Sequence, residues 1–159
     1  MKKNDNILKS VVGECSKHLT RMNYAFERIK PLTPLTGEII GTLENEDIAH
    51  IDQLIYRFTK LQDAVGQKLF KSVLISLGEQ VYDLSAIDIF NRLEKLGVIE
   101  DYDRWKELRE LRNELAHEYE EELNETADKL NTLIKRKTDL QDYYEKIIQY
   151  LKERKLIEN

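Results

Sequence analysis

The stretch IDQLIYRFTKLQDAVGQKLF, residues 51–70, decides the fold. Ile51, Leu54, Phe58, Leu61, Val65 and Leu69 recur at steps of three and four, which lines one side of an α-helix and which an alternating strand cannot produce. The pattern predicts one long helix from about Asp47 to Leu77, with Gly78 as its stop. Opposite the apolar stripe, Arg57, Lys60, Gln67, Lys68 and Lys71 fall within roughly one third of the helical circumference. Arg57 and Lys60 are candidate phosphate contacts, whereas Lys68 and Lys71 read more simply as a solvated face. Asp63 lies near this strip, placed to pair with a cation or to orient a neighbouring group.

Helical periodicity continues in both directions, and no segment alternates as a strand would. A first helix is expected from about Ile7 to Ile29, ended by PLTPLTG (31–37), where each proline removes an amide donor and biases its predecessor away from helix. Ser85, with Asp88 three residues later, opens a short helix carrying Ile87, Phe90, Leu93 and Leu96, and Gly97 follows it. Asp101 reads as the cap of a helix that carries RNELAHEY (112–119). A break is then expected within EEELNETADK (120–129), with Asn124 as a new cap. Leu130, Ile134, Leu140, Tyr144, Ile147, Ile148 and Leu151 line a final helix, interrupted by the charged Lys137. That stripe suits packing inside its own bundle or against a second copy. The expectation is an all-α bundle of about five helices, one domain over residues 1–159.

Composition limits what such a bundle does. Charged residues make up 35% of the chain, above the roughly 25% of average soluble proteins, and only 6 Gly and 2 Pro occur, as suits long helices with solvated faces. The net charge of −5 argues against binding nucleic acid through bulk charge, so any such contact must be a local patch. Cys15 is the single cysteine, which excludes an internal disulfide and a multi-cysteine metal site and fits a reducing cytoplasm. In MKKNDNILKSVVGEC charge returns at Glu14 and then Lys17 before any long apolar run, so neither a signal peptide nor a membrane anchor is expected there.

On its helix, RNELAHEY divides into a core side and an edge. Trp105, Leu108, Leu111, Leu115 and Tyr119 share one broad arc, and Arg112 falls inside it, where a guanidinium is tolerated only if paired. Arg109, Asn113, Ala116 and His117 follow on the flank, with Ala116 leaving room for another helix to approach. Taken singly these residues have ordinary readings: Arg112 as a structural ion pair, Tyr119 as a core aromatic, and His117, His18 and His50 as surface or satisfied histidines. Together, Arg112, Asn113 and His117 supply a phosphate binder, a hydrogen-bond donor and a proton carrier near neutral pH. Such a set suits RNA cleavage without a metal, in which a base removes the 2′-hydroxyl proton, the oxygen attacks phosphorus, and an arginine fork stabilises the phosphoryl oxygens. One histidine leaves the reaction short of either acid or base, and two copies across a two-fold axis would supply both.

Arg112-Asn113-Glu114-Leu115-Ala116-His117-Glu118-Tyr119 resembles the R-x4-H-x-Y signature of HEPN proteins, in particular the HepT-like toxins, and LGVIEDYDRWKELRELRNELAHEY resembles their approach to it. RFTKLQDAVGQKLF is similar to a stretch associated with the same sequences. The resemblance covers nearly the whole chain. It implies a homodimeric helical bundle, a metal-independent ribonuclease acting on RNA such as tRNA or mRNA, no cofactor, and an MNT-type nucleotidyltransferase as antitoxin. It also implies that AMP is transferred to Tyr119, filling the cleft beside Arg112 and His117. The candidate set is therefore Arg112, Asn113 and His117 as catalytic, Tyr119 as modified, and Arg57, Lys60 and Arg109 as RNA contacts. Two other readings stand beside it: a non-catalytic binding subunit of a nucleotidyltransferase, and a helical dimerisation module whose motif is coincidental.

Overall fold

A computed structural model of the chain describes residues 2–116 and 122–158, without the side chain of Lys2. The described residues form helices α1 (Lys2–Ile29), α2 (Gly37–Gly41), α3 (Asn45–Asp63), α4 (Phe70–Ser76), α5 (Ala86–Lys95), α6 (Tyr102–Leu115) and α7 (Leu123–Glu153). A 3-10 turn, Lys30–Leu32, ends α1 at the first proline, and a π-helical turn, Ala64–Leu69, joins α3 to α4. Five long rods and the short α2 therefore make an all-α bundle, with no strand among the described residues.

The apolar stripe from Ile51 to Leu69 is the inner face of α3 and of the turn after it: Leu54, Phe58 and Leu61 are fully buried, as are Val65 and Leu69. α1 lies along α3, and four of its fully buried residues, Leu8, Cys15, Met22 and Ile29, recur at heptad spacing, with Ala25 buried beside them. The apolar stripe of α7 packs inside the same bundle. Leu130, Leu140, Tyr144, Ile147 and Leu151 are buried there, and Ile134 and Ile148 are half-buried. Lys137 is buried within that stripe at 7% exposure, its ammonium 4.0 Å from the centre of the Phe26 ring. Burial lowers its pKa, and the ring and the nearby Glu27 offset part of that cost.

Several boundaries differ from expectation, each for a local reason. The second rod is not uniform α-helix, because the π turn lies in its middle. In α5 Ile87 is exposed, and Ile89 joins Phe90 and Leu93 in the core instead. Ser85 caps that helix as expected, accepting from the Asp88 amide and donating to its carboxylate. Asp101 caps α6 by accepting from the Arg104 amide at 3.1 Å. α6 stops at Leu115, with Ala116 as its C-cap, so RNELAHEY is not carried whole on one described helix. The break expected within residues 120–129 includes Glu122, which is not helical, and residues 117–121 before it lie outside the described ones. α7 has begun by Leu123, and its cap is Glu122, whose carboxylate accepts from the Asn124 amide. Asn124 is thus not the cap; its side chain packs against Gly37, where a Cβ would overlap it.

α6 is fastened to α7 at its start. Arg104 donates to Asp139 at 2.6 Å and to Asp142 at 3.0 Å, and Tyr143 donates to the Asp101 carbonyl at 2.5 Å. These bonds leave the end of α6, with Arg112 and Asn113, facing α3.

Candidate active site

Gly66 decides how closely α6 approaches the π turn. A Cβ on that residue would lie 2.9 Å from Cζ2 of Trp105, so the indole rests on the bare backbone. The Phe70 ring sits 4.8 Å from Trp105, centre to centre, and Tyr143 packs edge-on at 5.2 Å. Two turns beyond Trp105 on α6 stands Arg112, and one turn before Gly66 on α3 stands Asp63. The antiparallel crossing seated on the glycine therefore brings these two together.

Arg112 donates through Nε to Oδ1 of Asp63 and through Nη2 to Oδ2, both at 2.9 Å. This is the paired carboxylate that an arginine on a core-facing arc requires, and it comes from the long rod. The side chains of Arg112 and Asp63 are 28% and 23% exposed, so the pair stands at the surface of a cleft. Hydrogen bonding to Asp63, partly opposed by desolvation, raises the Arg112 pKa, and the guanidinium stays charged. The pairing limits what the fork of Arg112 can offer a phosphate. One edge of the fork is occupied by Asp63, which leaves Nη1 and the outer N–H of Nη2 for a ligand.

The cleft around this pair has a volume of about 420 Å³ and is lined by Asp63, Gln67, Arg109, Arg112 and Asn113, with Gln62, Gly66, Ala86 and Trp105. Three of the residues singled out from sequence, Arg109, Arg112 and Asn113, therefore share one wall. Arg109 donates to the Tyr102 hydroxyl at 3.3 Å, and Asn113 is exposed. His117 and Tyr119 lie outside the described residues.

The basic strip on α3 divides instead of acting together. Arg57 is half-buried and turned toward α1, where Nη1 donates to Nδ1 of His18 at 2.9 Å; its Nε is buried with no partner. It does not line either cleft, so their geometry adds nothing to its expected role as a phosphate contact. Lys60 is exposed and leans over the Tyr56 ring, 5.6 Å from its centre. Lys68 is not simply solvated: it bonds Glu14 of α1 at 2.9 Å. Lys60 and Lys68 line a second cleft of about 390 Å³ with Glu14, His18, Tyr56 and Ala64, and this cleft shares Asp63 and Gln67 with the first.

His18, read from sequence as an ordinary surface or satisfied histidine, does have a partner, yet it also lines that second cleft. Burial first, and then Arg57, Lys60 and Lys17, push its pKa below the ordinary value, while Glu14 opposes them. Since the guanidinium donates to Nδ1, the neutral ring carries its proton on Nε2. Cys15 is buried and its thiol is pushed up to about 12, mainly by desolvation, so it is no thiolate nucleophile near neutral pH. A groove of about 660 Å³ along the end of α7 has neither histidine nor arginine in its lining. No three His, Cys, Asp or Glu side chains among the described residues come together as a metal-ion site, and no described helix is long and apolar enough to cross a membrane.

Glu14, Gly66 and Tyr56 escaped the sequence reading. Only Gly66 left a signal: a glycine inside a helix costs about 1 kcal/mol relative to alanine and so asks for a packing reason. The pairing of Glu14 with Lys68 across two helices left none.

The family model described as ribonuclease HepT-like matches residues 44–147, which takes in α3 to α6 and most of α7. No curated protein and no solved structure matches the chain.

Proposed function

The chain belongs to the ribonuclease HepT-like family, and from that premise we propose that it is a metal-independent endoribonuclease toxin that cuts RNA in a cleft completed by a second copy. The observation that carries this reading is the Arg112–Asp63 clamp. It holds a charged guanidinium beside Asn113 and Arg109 in one cleft, at the end of the helix that leads into His117.

In the proposed reaction one His117 removes the proton from a ribose 2′-hydroxyl. O2′ then attacks the adjacent phosphorus, the P–O5′ bond breaks, and His117 of the second copy gives a proton to the departing O5′. The products are a 2′,3′-cyclic phosphate and a free 5′-hydroxyl. Arg112 meets the charge that builds on the phosphoryl oxygens through the N–H groups Asp63 leaves open, and Asn113 donates a positioning hydrogen bond. Because Asp63 fixes the guanidinium before substrate arrives, little reorganisation remains for the transition state. Arg109 and Lys60 hold flanking phosphates.

The neutralising partner in this reading is an MNT-type nucleotidyltransferase that transfers AMP to Tyr119. An anionic adduct two residues from His117 would compete for Arg112 and occupy the space an RNA phosphate needs.

Purified protein is expected to cleave RNA in the presence of a chelator and to leave cyclic-phosphate ends, and His117→Ala is expected to abolish the cleavage. Equal cleavage by wild type and His117→Ala rejects the catalytic assignment. Binding of RNA without cleavage by either favours the non-catalytic subunit. Co-expression with a nucleotidyltransferase is expected to add the mass of AMP to the wild-type chain and not to Tyr119→Phe.

A further inference from the structure

Of the second cleft, the chemistry proposed above uses only Lys60 and the shared Asp63, and α1, which forms one side of it, lies outside the residues that the family model matches. The two clefts share Asp63 and Gln67, so one substrate can run across both. From Tyr56 to Asp63 the rod rises by about 10 Å, a span that a short run of nucleotides crosses.

We infer that the cleft between α1 and α3 binds an unpaired nucleotide flanking the cut, with its base against Tyr56 and its phosphate on Lys60, and that the substrate is therefore single-stranded RNA. The inference rests on the reading of this protein as an enzyme that cuts RNA.

Three observations support it. Tyr56 is 49% exposed although it lines a concavity, and both Arg57, at 5.1 Å, and Lys60, at 5.6 Å, lean over its ring. Aromatic surface and positive charge thus meet at one place, as a base and its phosphate require. Second, Lys60 has no carboxylate within ion-pair distance among the described residues, whereas Lys68 across the cleft is bonded to Glu14. Lys60 is the cation open to a phosphate, and Glu14 limits Lys68 to a lesser part. Third, Arg57 holds the His18 ring through Nδ1, so the Nε2–H is the donor left to the cleft. A neutral donor can reach a base edge or a ribose oxygen without adding charge. A base inside a duplex is stacked and paired, and its flat face cannot enter such a cleft.

The test measures binding apart from cleavage. A fluorescein-labelled single-stranded RNA carrying 2′-O-methyl groups throughout lacks the attacking hydroxyl and survives incubation; the same strand annealed to its complement is the duplex probe. Fluorescence anisotropy is expected to show tighter binding of the single strand. Tyr56→Ala is expected to weaken that binding about tenfold, the scale of one base–aromatic stack, and Tyr56→Phe to restore it. Lys60→Gln is expected to weaken binding and to lower the slope of log affinity against log salt by about 0.7, the loss of one phosphate contact. Tyr56 is 49% exposed and Lys60 is exposed, so the variants should fold, and circular dichroism checks this. Wild-type affinity in Tyr56→Ala, or duplex binding as tight as single-strand binding, overturns the inference. If unmodified RNA is still cut in that case, the ribonuclease reading stands without it. If the variants weaken binding as expected but wild type cuts nothing, the subsite stands and the ribonuclease reading falls.

Discussion

The long rod of α3 and the π turn has an arginine pair on each flank, and the two pairs are built differently. Toward α6, Arg112 meets a carboxylate through two bonds of 2.9 Å, and the partner's charge fixes the guanidinium while offsetting part of its pull on an anion. Toward α1, Arg57 meets an imidazole through one bond of 2.9 Å, and it is the partner that is constrained, held neutral with its tautomer set. A bidentate ion pair positions the arginine. A single cation-to-histidine bond positions the histidine. The same residue type therefore serves as the positioned group on one flank and as the support on the other.

The largest effect should come from breaking the first pair. Asp63→Ala frees Arg112 to move by an ångström or more, and a misplacement of that size lowers the cleavage rate by about 100-fold. Asp63→Asn, which keeps one acceptor, should fall between that variant and wild type. Initial rates on a labelled RNA check both, and unchanged rates would mean that the clamp is structural only.

Next in size is the glycine that seats the α6 flank. Gly66→Ala places a Cβ 2.9 Å from the Trp105 ring, and a ring wedged between Phe70 and Tyr143 has little freedom to yield. Overpacking of this kind costs about 1–3 kcal/mol, visible as a lower melting temperature. The α1 flank, which does not depend on Trp105, should keep its affinity for single-stranded RNA.

The second pair sets a pH dependence of stability. His18 has a lowered pKa in the folded chain, so on acidification the unfolded chain takes up a proton first. The stability tied to the neutral ring is present above its ordinary value of 6.5 and is lost as the pH falls through the folded value. His18→Gln keeps an acceptor for Arg57 but does not titrate, so its denaturation midpoint should fall less steeply below neutral pH than that of wild type. Parallel slopes would contradict the assignment. The smallest effect belongs to Lys71, exposed and outside both clefts. Lys71→Gln should leave melting temperature, RNA affinity and cleavage unchanged.

How much of this was legible in the sequence follows from the range of the interactions involved. Ile51, Leu54, Phe58 and Leu61 announce their helix because the period is local, and Ser85 and Asp101 announce their caps for the same reason. The start of α7 is legible only to within two residues, at Glu122 instead of Asn124, because EELNETAD is polar enough for a loop and equally suited to the start of a solvated helix. Arg112 on a core-facing arc required a partner, which the sequence could demand but not choose. Asp63 became that partner through the seat of Trp105 on Gly66, a contact between distant parts of the chain. For the same reason Arg57 could be placed on a basic strip by its helical angle, while its turn toward His18 depends on α1 lying alongside.

The most direct test of the central claim, that Asp63 serves cleavage by holding Arg112, is a double-mutant cycle on the single-turnover rate of RNA cleavage. It compares wild type, Asp63→Ala, Arg112→Ala and the double variant at saturating protein. If Asp63 works only through Arg112, the double variant should be no slower than Arg112→Ala. Losses that multiply, with the double variant slower by the product of the two single effects, would contradict the account.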